Sequence, residues 1–293
     1  MPRSPKRILA CAAALFAVLV AGGCDEVRAR RNLQEGNKKY QDSKYEEAIT
    51  LYDEALASQP QLAIGWFNLG TAHFALYSAG NKDPENEAHA TAAASAFAKY
   101  VQMVPSDQDG RTMLLKVYKD SGNYDGAIKY YEEQLQKDPN NLVTLSEVAQ
   151  TYVDAGKFDD AIKWFMRVVE VDTSKDGKAD TFYRIGVMQW RRLNKHLEVT
   201  GLDRQKIADV GLDALQQAND IRTGHGPTLS YMNLLYRERA WASEASYSRA
   251  IDTASALIYE KQAKEAMKAA QALSNSPGGT PAKDPKAPTP PQK

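Results

Sequence analysis

Three segments of the chain align without gaps: KYEEAITLYDEALASQP at 44–60, NYDGAIKYYEEQLQKDP at 123–139 and KFDDAIKWFMRVVEVDT at 157–173. Pro105 and Pro139 are 34 residues apart, and Thr173 follows 34 residues after Pro139. Pro60 and Pro105 are 45 apart, one period plus an 11-residue insertion. Within each segment the apolar positions recur at helical spacing, as in Ala48, Ile49, Tyr52, Ala55 and Leu56. A fixed period of this length belongs to a stacked-helix array, in which no unit buries its apolar face alone and at least three must pack together. The prolines agree: of 13, only Pro60, Pro84, Pro105, Pro139 and Pro227 lie between the two ends of the chain.

The repeat resembles the tetratricopeptide family. Leu114, Leu115, Tyr118, Gly122, Tyr124, Ala127, Tyr131 and Pro139 fall on family positions 7, 8, 11, 15, 17, 20, 24 and 32. The next period repeats this with Val148, Ala149, Tyr152, Gly156, Phe158, Ala161 and Phe165. The second period carries Trp66, Leu69 and Gly70, then Ala93, Phe97 and Pro105 after its insertion. The first carries Gly36, Tyr45, Ala48, Tyr52, Ala55 and Pro60, with Glu35 and Lys39 where apolar residues are usual. Phe182, Ile185, Gly186, Leu215 and Ala218 fit a degenerate fifth repeat, and Tyr231, Leu234, Leu235, Ala263, Met267 and Ala270 a sixth. Both carry extra residues between the matching positions, and 228–273 holds neither Gly nor Pro, so long helices turning near 243–246 are expected. The resemblance implies an all-α fold: a right-handed α-solenoid of about six helical hairpins, extended in repeats 2, 5 and 6. The expected divisions are 29–62, 63–107, 108–141, 142–175, 176–225 and 226–275.

The ends read differently. Arg3, Lys6 and Arg7 precede an apolar run from Ile8 to Ala21, too short for the roughly 20 residues a membrane span requires. That pattern matches a secretory signal peptide. Its close, Val20-Ala21-Gly22-Gly23-Cys24, resembles the bacterial lipobox, in which the cysteine is acylated and becomes the first mature residue. Residues 1–23 are then the signal, 24–28 a lipidated linker, and Cys24 the single cysteine left, Cys11 being removed. The chain has 37 basic and 37 acidic side chains. Removing Arg3, Lys6 and Arg7 leaves 34 against 37, a mature charge of −3, with no electrostatic reason to expect nucleic acid. Residues 276–293 are rich in Pro and Lys, lack an apolar stripe and are expected to be a disordered tail.

Signatures of chemistry are missing. His73, His89, His196 and His225 are scattered without an HExxH or CxxC companion, and no phosphate loop, dinucleotide fingerprint or nucleophile elbow occurs. Asp172, Ser174, Asp176, Gly177 and Asp180 match the opening of a calcium loop, but Tyr183 stands where the bidentate glutamate belongs. No catalytic residue, metal, cofactor or small-molecule substrate is expected.

In the family the first helix of each hairpin lines a partner-binding groove, through positions 2, 5, 9, 12 and 13. The resemblance places Leu33, Asn37, Tyr40, Phe67, Thr71 and Phe74 there. Thr112, Lys116, Lys119, Ser146, Gln150 and Val153 follow, then Tyr183, Val187, Trp190, Met232 and Tyr236. Asn37 and Asn68 match the asparagines of the family's chaperone clamp, yet Leu33, Asp109 and Met113 replace its cations, which disfavours capture of acidic C-termini. The expected function is a lipid-anchored envelope scaffold that holds protein partners in the periplasm and joins the membrane through its N-terminal lipid. It resembles the pilotin lipoproteins of pilus secretin assembly and, less closely, the lipoprotein of the outer-membrane barrel assembly machinery. The alternative is an accessory subunit regulating a peptidoglycan or other envelope enzyme. Which membrane and which partner are left open.

Overall fold

The computed structural model describes residues 25–274. The signal segment, Cys24 and the Pro/Lys-rich tail lie outside the described residues. Every regular element among the described residues is a helix, and none is long and apolar enough to cross a membrane. The chain divides into two compact units, with the division between Ala127 and Ile128.

The first unit contains α1 (25–41), α2 (Tyr45–Ser58), α3 (Ala63–Leu76), α4 (Pro84–Met103), α5 (Gln108–Asp120) and the start of α6 (Tyr124–Lys137). The second holds the rest of α6, then α7 (Leu142–Asp154), α8 (Phe158–Val171), α9 (Lys175–Lys195), α10 (Gly201–Ile221), α11 (Gly226–Ala242) and α12 (Ser246–Ser274). Taken in order the helices fall into six successive pairs, the hairpins numbered below, and α3 packs on α4, α7 on α8, α9 on α10 and α11 on α12. Those with the strict period use helices of 13 or 14 residues. The insertions go chiefly into helix length: α4 has 20 residues, α9 and α10 have 21 each, and α12 has 29.

The sequence explains the boundaries. Asp107, Asn141 and Ser174 each accept a hydrogen bond from the backbone N–H three residues on, capping α5, α7 and α9 at 2.9, 3.0 and 3.2 Å. Pro84 opens α4 just after its cap Asp83. The turns within the third and fourth hairpins need a left-handed residue, supplied by Gly122 and Gly156 at φ 71° and 73°. In the first hairpin that position is Ser43, at φ 61°.

In the first unit the α2 stripe (Ala48, Tyr52, Leu56) packs with Leu69 and Ala72 of α3 and Ala96 of α4. In the second unit Ala149, Ala161, Phe165, Phe182 and Ile185 form one cluster. Leu193, Leu212, Leu215, Met232 and Leu235 form another, where α9, α10 and α11 meet. The fifth hairpin closes tightly: a Cβ on Gly186 of α9 would stand 2.3 Å from Leu215 Cγ of α10. The calcium-loop reading meets a geometric obstacle, because Asp176, Gly177 and Asp180 lie in the opening turns of α9 and the Asp172 carboxylate accepts from the Ser174 N–H.

Candidate functional site

The first helices of the hairpins in the first unit are α1, α3 and α5. Leu33 and Tyr40 are half-buried against the α2 core, and Tyr40 tilts against Tyr45 at 5.2 Å between ring centres. Asn37 Oδ1 accepts from the Tyr52 hydroxyl and from Asn68 Nδ2, both at 2.8 Å, which locks α1 to α2 and α3. The two asparagines thus spend their facing groups on each other. Burial pushes the Tyr52 hydroxyl up to about 12, so it remains a donor throughout the physiological range. Phe67 meets Phe97 and Tyr100 edge-on at 5.6 and 5.1 Å and remains partly exposed. Phe74 stacks on Tyr77, and the Lys116 ammonium lies 5.4 Å from its ring centre, joining α3 to α5. Thr71 turns its hydroxyl to the Phe67 carbonyl and Thr112 to that of Gln108. Lys116 pairs with Asp120 at 2.6 Å, and Lys119 is exposed on the same helix.

In the second unit the corresponding helices are α7, α9 and α11. Ser146, Gln150 and Val153 of α7 are half-buried. Gln150 Oε1 accepts from Arg184 of α9 at 3.3 Å, and that guanidinium covers the Phe165 ring at 4.8 Å. Tyr183 and Trp190 meet Tyr231 edge-on at 5.8 and 5.4 Å, and His225 closes the row against Tyr183 at 5.7 Å. Tyr236 stacks on Tyr259 of α12 at 5.5 Å with rings 9° apart, under the Arg239 guanidinium.

Two assignments are corrected here. Val187 is 8% exposed and Met232 1%; both side chains belong to the core where α9, α10 and α11 meet. The reason is the lengthened hairpins: α11 packs along α12 and α10 and also touches α9, so positions open in a minimal hairpin are covered. Neither side chain can meet a partner. Within each unit the other positions lie on the first helices with at least part of their surface accessible.

Sequence reasoning missed several polar features. His73 and His89, read as scattered, meet across α3 and α4 with Nδ1 atoms 3.0 Å apart. Burial, and then the neighbouring ring, lower the His73 pKa to about 4. Arg204 is 1% exposed and pairs with Glu238 at 2.5 Å, with Trp241 over its plane at 4.5 Å. Arg239 ties Asp209 to Asp252 at 2.8 and 2.6 Å. Asn86 exchanges hydrogen bonds with both backbone groups of Ser78 and donates to the Asn81 carbonyl, pinning the inserted connection before α4. Helical spacing alone gave no sign of these partners. Among the described residues no group of three or more His, Cys, Asp or Glu could hold a metal ion.

Comparison with known families finds a tetratricopeptide repeat model matching residues 118–178 and a TPR repeat model matching 36–76. Comparison with curated protein sequences finds no match. Among solved structures, the chain is similar to YrrB, described as a TPR protein with an unusual peptide-binding site, at 21% identity and a TM-score of 0.35, over 68% of this chain and 88% of that one. It is similar to MamA at 14% identity and a TM-score of 0.33, over 81% and 96%. A TPR repeat-containing protein from Cytophaga hutchinsonii, represented by its C-terminal part, gives 14% identity and a TM-score of 0.41, over 81% and 80%. Over residues 36–76 and 118–178 the chain matches the tetratricopeptide repeat.

Proposed function

We propose that the protein is a lipid-anchored envelope scaffold that binds protein partners on the first-helix faces of its hairpins and assists assembly of an envelope complex such as a pilus or secretin. The observation that carries the binding role is the set of half-buried aromatic side chains on those helices. Phe67 and Phe74 lie in one unit, and Tyr183, Trp190 and Tyr236 in the other. Each is fixed by a ring neighbour rather than left mobile. Aromatic side chains are enriched at protein-binding hot spots, and those already held by a neighbour lose little entropy on docking. The lipid anchor rests on the lipobox-like ending at Cys24, and several acyl chains hold a protein on a membrane where one would not.

In-cell crosslinking of the anchored protein followed by pulldown tests the reading. Trp190→Ala, Phe67→Ala and Tyr236→Ala together should deplete the captured partners at least tenfold, and an unchanged set would defeat the groove assignment. Cys24→Ser should leave the chain unacylated and shift it out of the membrane fraction or block its processing. Unaltered mass and fractionation would remove the anchor.

A further inference from the structure

The last helix, α12, has two unlike faces. Asp252, Ala256 and Ala263 are buried and Tyr259 is half-buried, on the side that packs along α11. At about 100° per residue, Tyr247, Ala250, Ile251, Ala254, Leu257 and Ile258 fall on the opposite side, in a stripe about 120° wide. All six are exposed, Tyr247 by 77%, Leu257 by 59% and Ile258 by 56%. The stripe ends there, because the next outward residues are Lys261, Glu265 and Lys268. The terminal unit of a stacked-helix array normally carries a polar outer face, since no further repeat covers it. At the other end α1 obeys that rule: Val27 is its only exposed large apolar residue. The outer face of α12 does not.

The residues that follow α12 hold nothing to cover the stripe, for 276–293 contain no Val, Ile, Leu, Met, Phe, Tyr or Trp. A lipid surface fits poorly as well. Helices that lie in a bilayer interface are rich in lysine and arginine on their polar side. Beside this stripe stand Ser248, Thr253 and Ser255, and the one cation, Arg249, is spent on the Ser243 carbonyl at 2.6 Å.

The two ends of the stripe complement each other instead. Among the described residues Tyr247 has no ring or hydrogen-bond partner and Lys261 no ion pair. They stand seven residues either side of Ala254. Two α12 helices laid antiparallel about a two-fold axis at Ala254 would set each Tyr247 ring against Lys261 of the second copy. The lysine stem then covers the ring and its ammonium meets the ring face, twice by symmetry. Ile251 would lie beside Ile258 of the second copy, and Ala250 beside its Leu257. The small residues at the crossing let the helix axes approach to about 8 Å. A parallel pair would place Lys261 on Lys261 and lose both ring contacts.

We propose that α12 pairs antiparallel with α12 of a second copy, so that the protein is a two-fold homodimer through this stripe. The same patch serves both copies, as a closed two-fold interface requires. α12 is the second helix of its hairpin, so the first-helix faces stay free for other partners. The proposal therefore stands apart from the partner-binding role and can fail without it.

Oxidative crosslinking of the full chain in its membrane tests the pairing. Ala254→Cys puts a thiol on the axis, where the two Cα atoms come within the roughly 7 Å that a disulfide spans. It should give a disulfide-linked band at twice the mass that the unaltered chain, with its own cysteines, does not give. Lys268→Cys is the collision control, since its thiols would lie about 40 Å apart along the paired helices. Leu257→Glu, at an exposed position that the fold does not need, should cut the Ala254→Cys band at least tenfold. Tyr247→Cys and Lys261→Cys should crosslink when carried together and not singly; a band from Tyr247→Cys alone would overturn the antiparallel arrangement. A helix that lies on lipid or holds a different protein gives no Ala254→Cys band. That absence, an equal band from Lys268→Cys, or an undiminished band in Leu257→Glu overturns the homodimer.

Discussion

Gly186→Ala sets two magnitudes against each other. In the interior of a helix alanine is favoured over glycine by about 1 kcal/mol, so on an isolated α9 the substitution would stabilise. In the fifth hairpin the new methyl would sit 2.3, 2.5 and 3.0 Å from the Cγ, Cδ2 and Cδ1 of Leu215. Leu215 is fully buried, packed among residues of α9, α10 and α11. Overpacking of this kind costs about 1–3 kcal/mol. At 2.3 Å from a branch carbon the cost lies in the upper part of that range, about 2–3 kcal/mol, so sterics should win, for a net loss of about 1–2 kcal/mol and a Tm lower by roughly 2–8 °C at this chain length. Because stacked repeats open locally, the loss should also appear as faster amide exchange in α9 and α10, while α2 and α3 stay unchanged. The decisive control is the Leu215→Ala background. That change alone costs about 2–5 kcal/mol by leaving a cavity, but it removes the clash. There Gly186→Ala should be neutral or stabilising by about 1 kcal/mol, a reversal of sign between the two backgrounds. A higher Tm for Gly186→Ala in the otherwise unaltered chain would refute the close approach of α9 and α10.

Two further outcomes follow from local geometry. Ser43→Gly should raise stability by about 0.5–1 kcal/mol in urea melts, because Ser43 holds φ 61° where the third and fourth hairpins use glycine, and a loss instead would mean that the serine is unstrained. Folding lowers the His73 pKa from 6.5 to about 4, so the unfolded chain binds the additional proton; the stabilisation is complete above pH 6.5 and is lost as pH falls towards 4. The full gap corresponds to roughly 3 kcal/mol, reduced to about 1–2 kcal/mol because the ring is partly solvated. His73→Asn should flatten the urea midpoint between pH 7 and 4.5, and an unchanged slope would clear the histidine pair.

The parts of the fold that could be read from the sequence are those under strict periodicity. Ala48, Tyr52 and Leu56 announce the α2 stripe, and Ala161 and Phe165 that of α8, because a 3.6-residue repeat projects such residues onto one face whatever they meet. The hairpins that keep the 34-residue period follow from that spacing. The site was legible only as a choice of helix face. Where the hairpin is minimal, as at Gln150 or Val153, the family position retains accessible surface. Where inserted turns lengthen α9, α11 and α12, the same position is roofed over, and Met232 becomes core. Helical phase tells which side of a helix a residue occupies; it does not tell how far the neighbouring helix extends.

That difference also explains where the buried polar groups gather. A minimal hairpin ends its helices at short turns in contact with water, so the last carbonyls need no protein partner. A longer helix carries its C-terminus under the next element and must satisfy those carbonyls internally. At the end of α9, Arg204 donates to the Leu193 carbonyl at 3.1 Å and to that of Val199, just beyond the helix, at 2.8 Å. A cation there also meets the negative end of the helix dipole. Glu238 neutralises the charge on α11, and Trp241 covers its plane. Asn86 serves the connection after α3 in the same way. These residues lie in the second, fifth and sixth hairpins, which depart from the 34-residue period. The insertions that hide Met232 therefore create the need for Arg204: once a repeat is lengthened, its apolar stripe no longer specifies it, and a polar clamp outside the repeat pattern has to complete the structure.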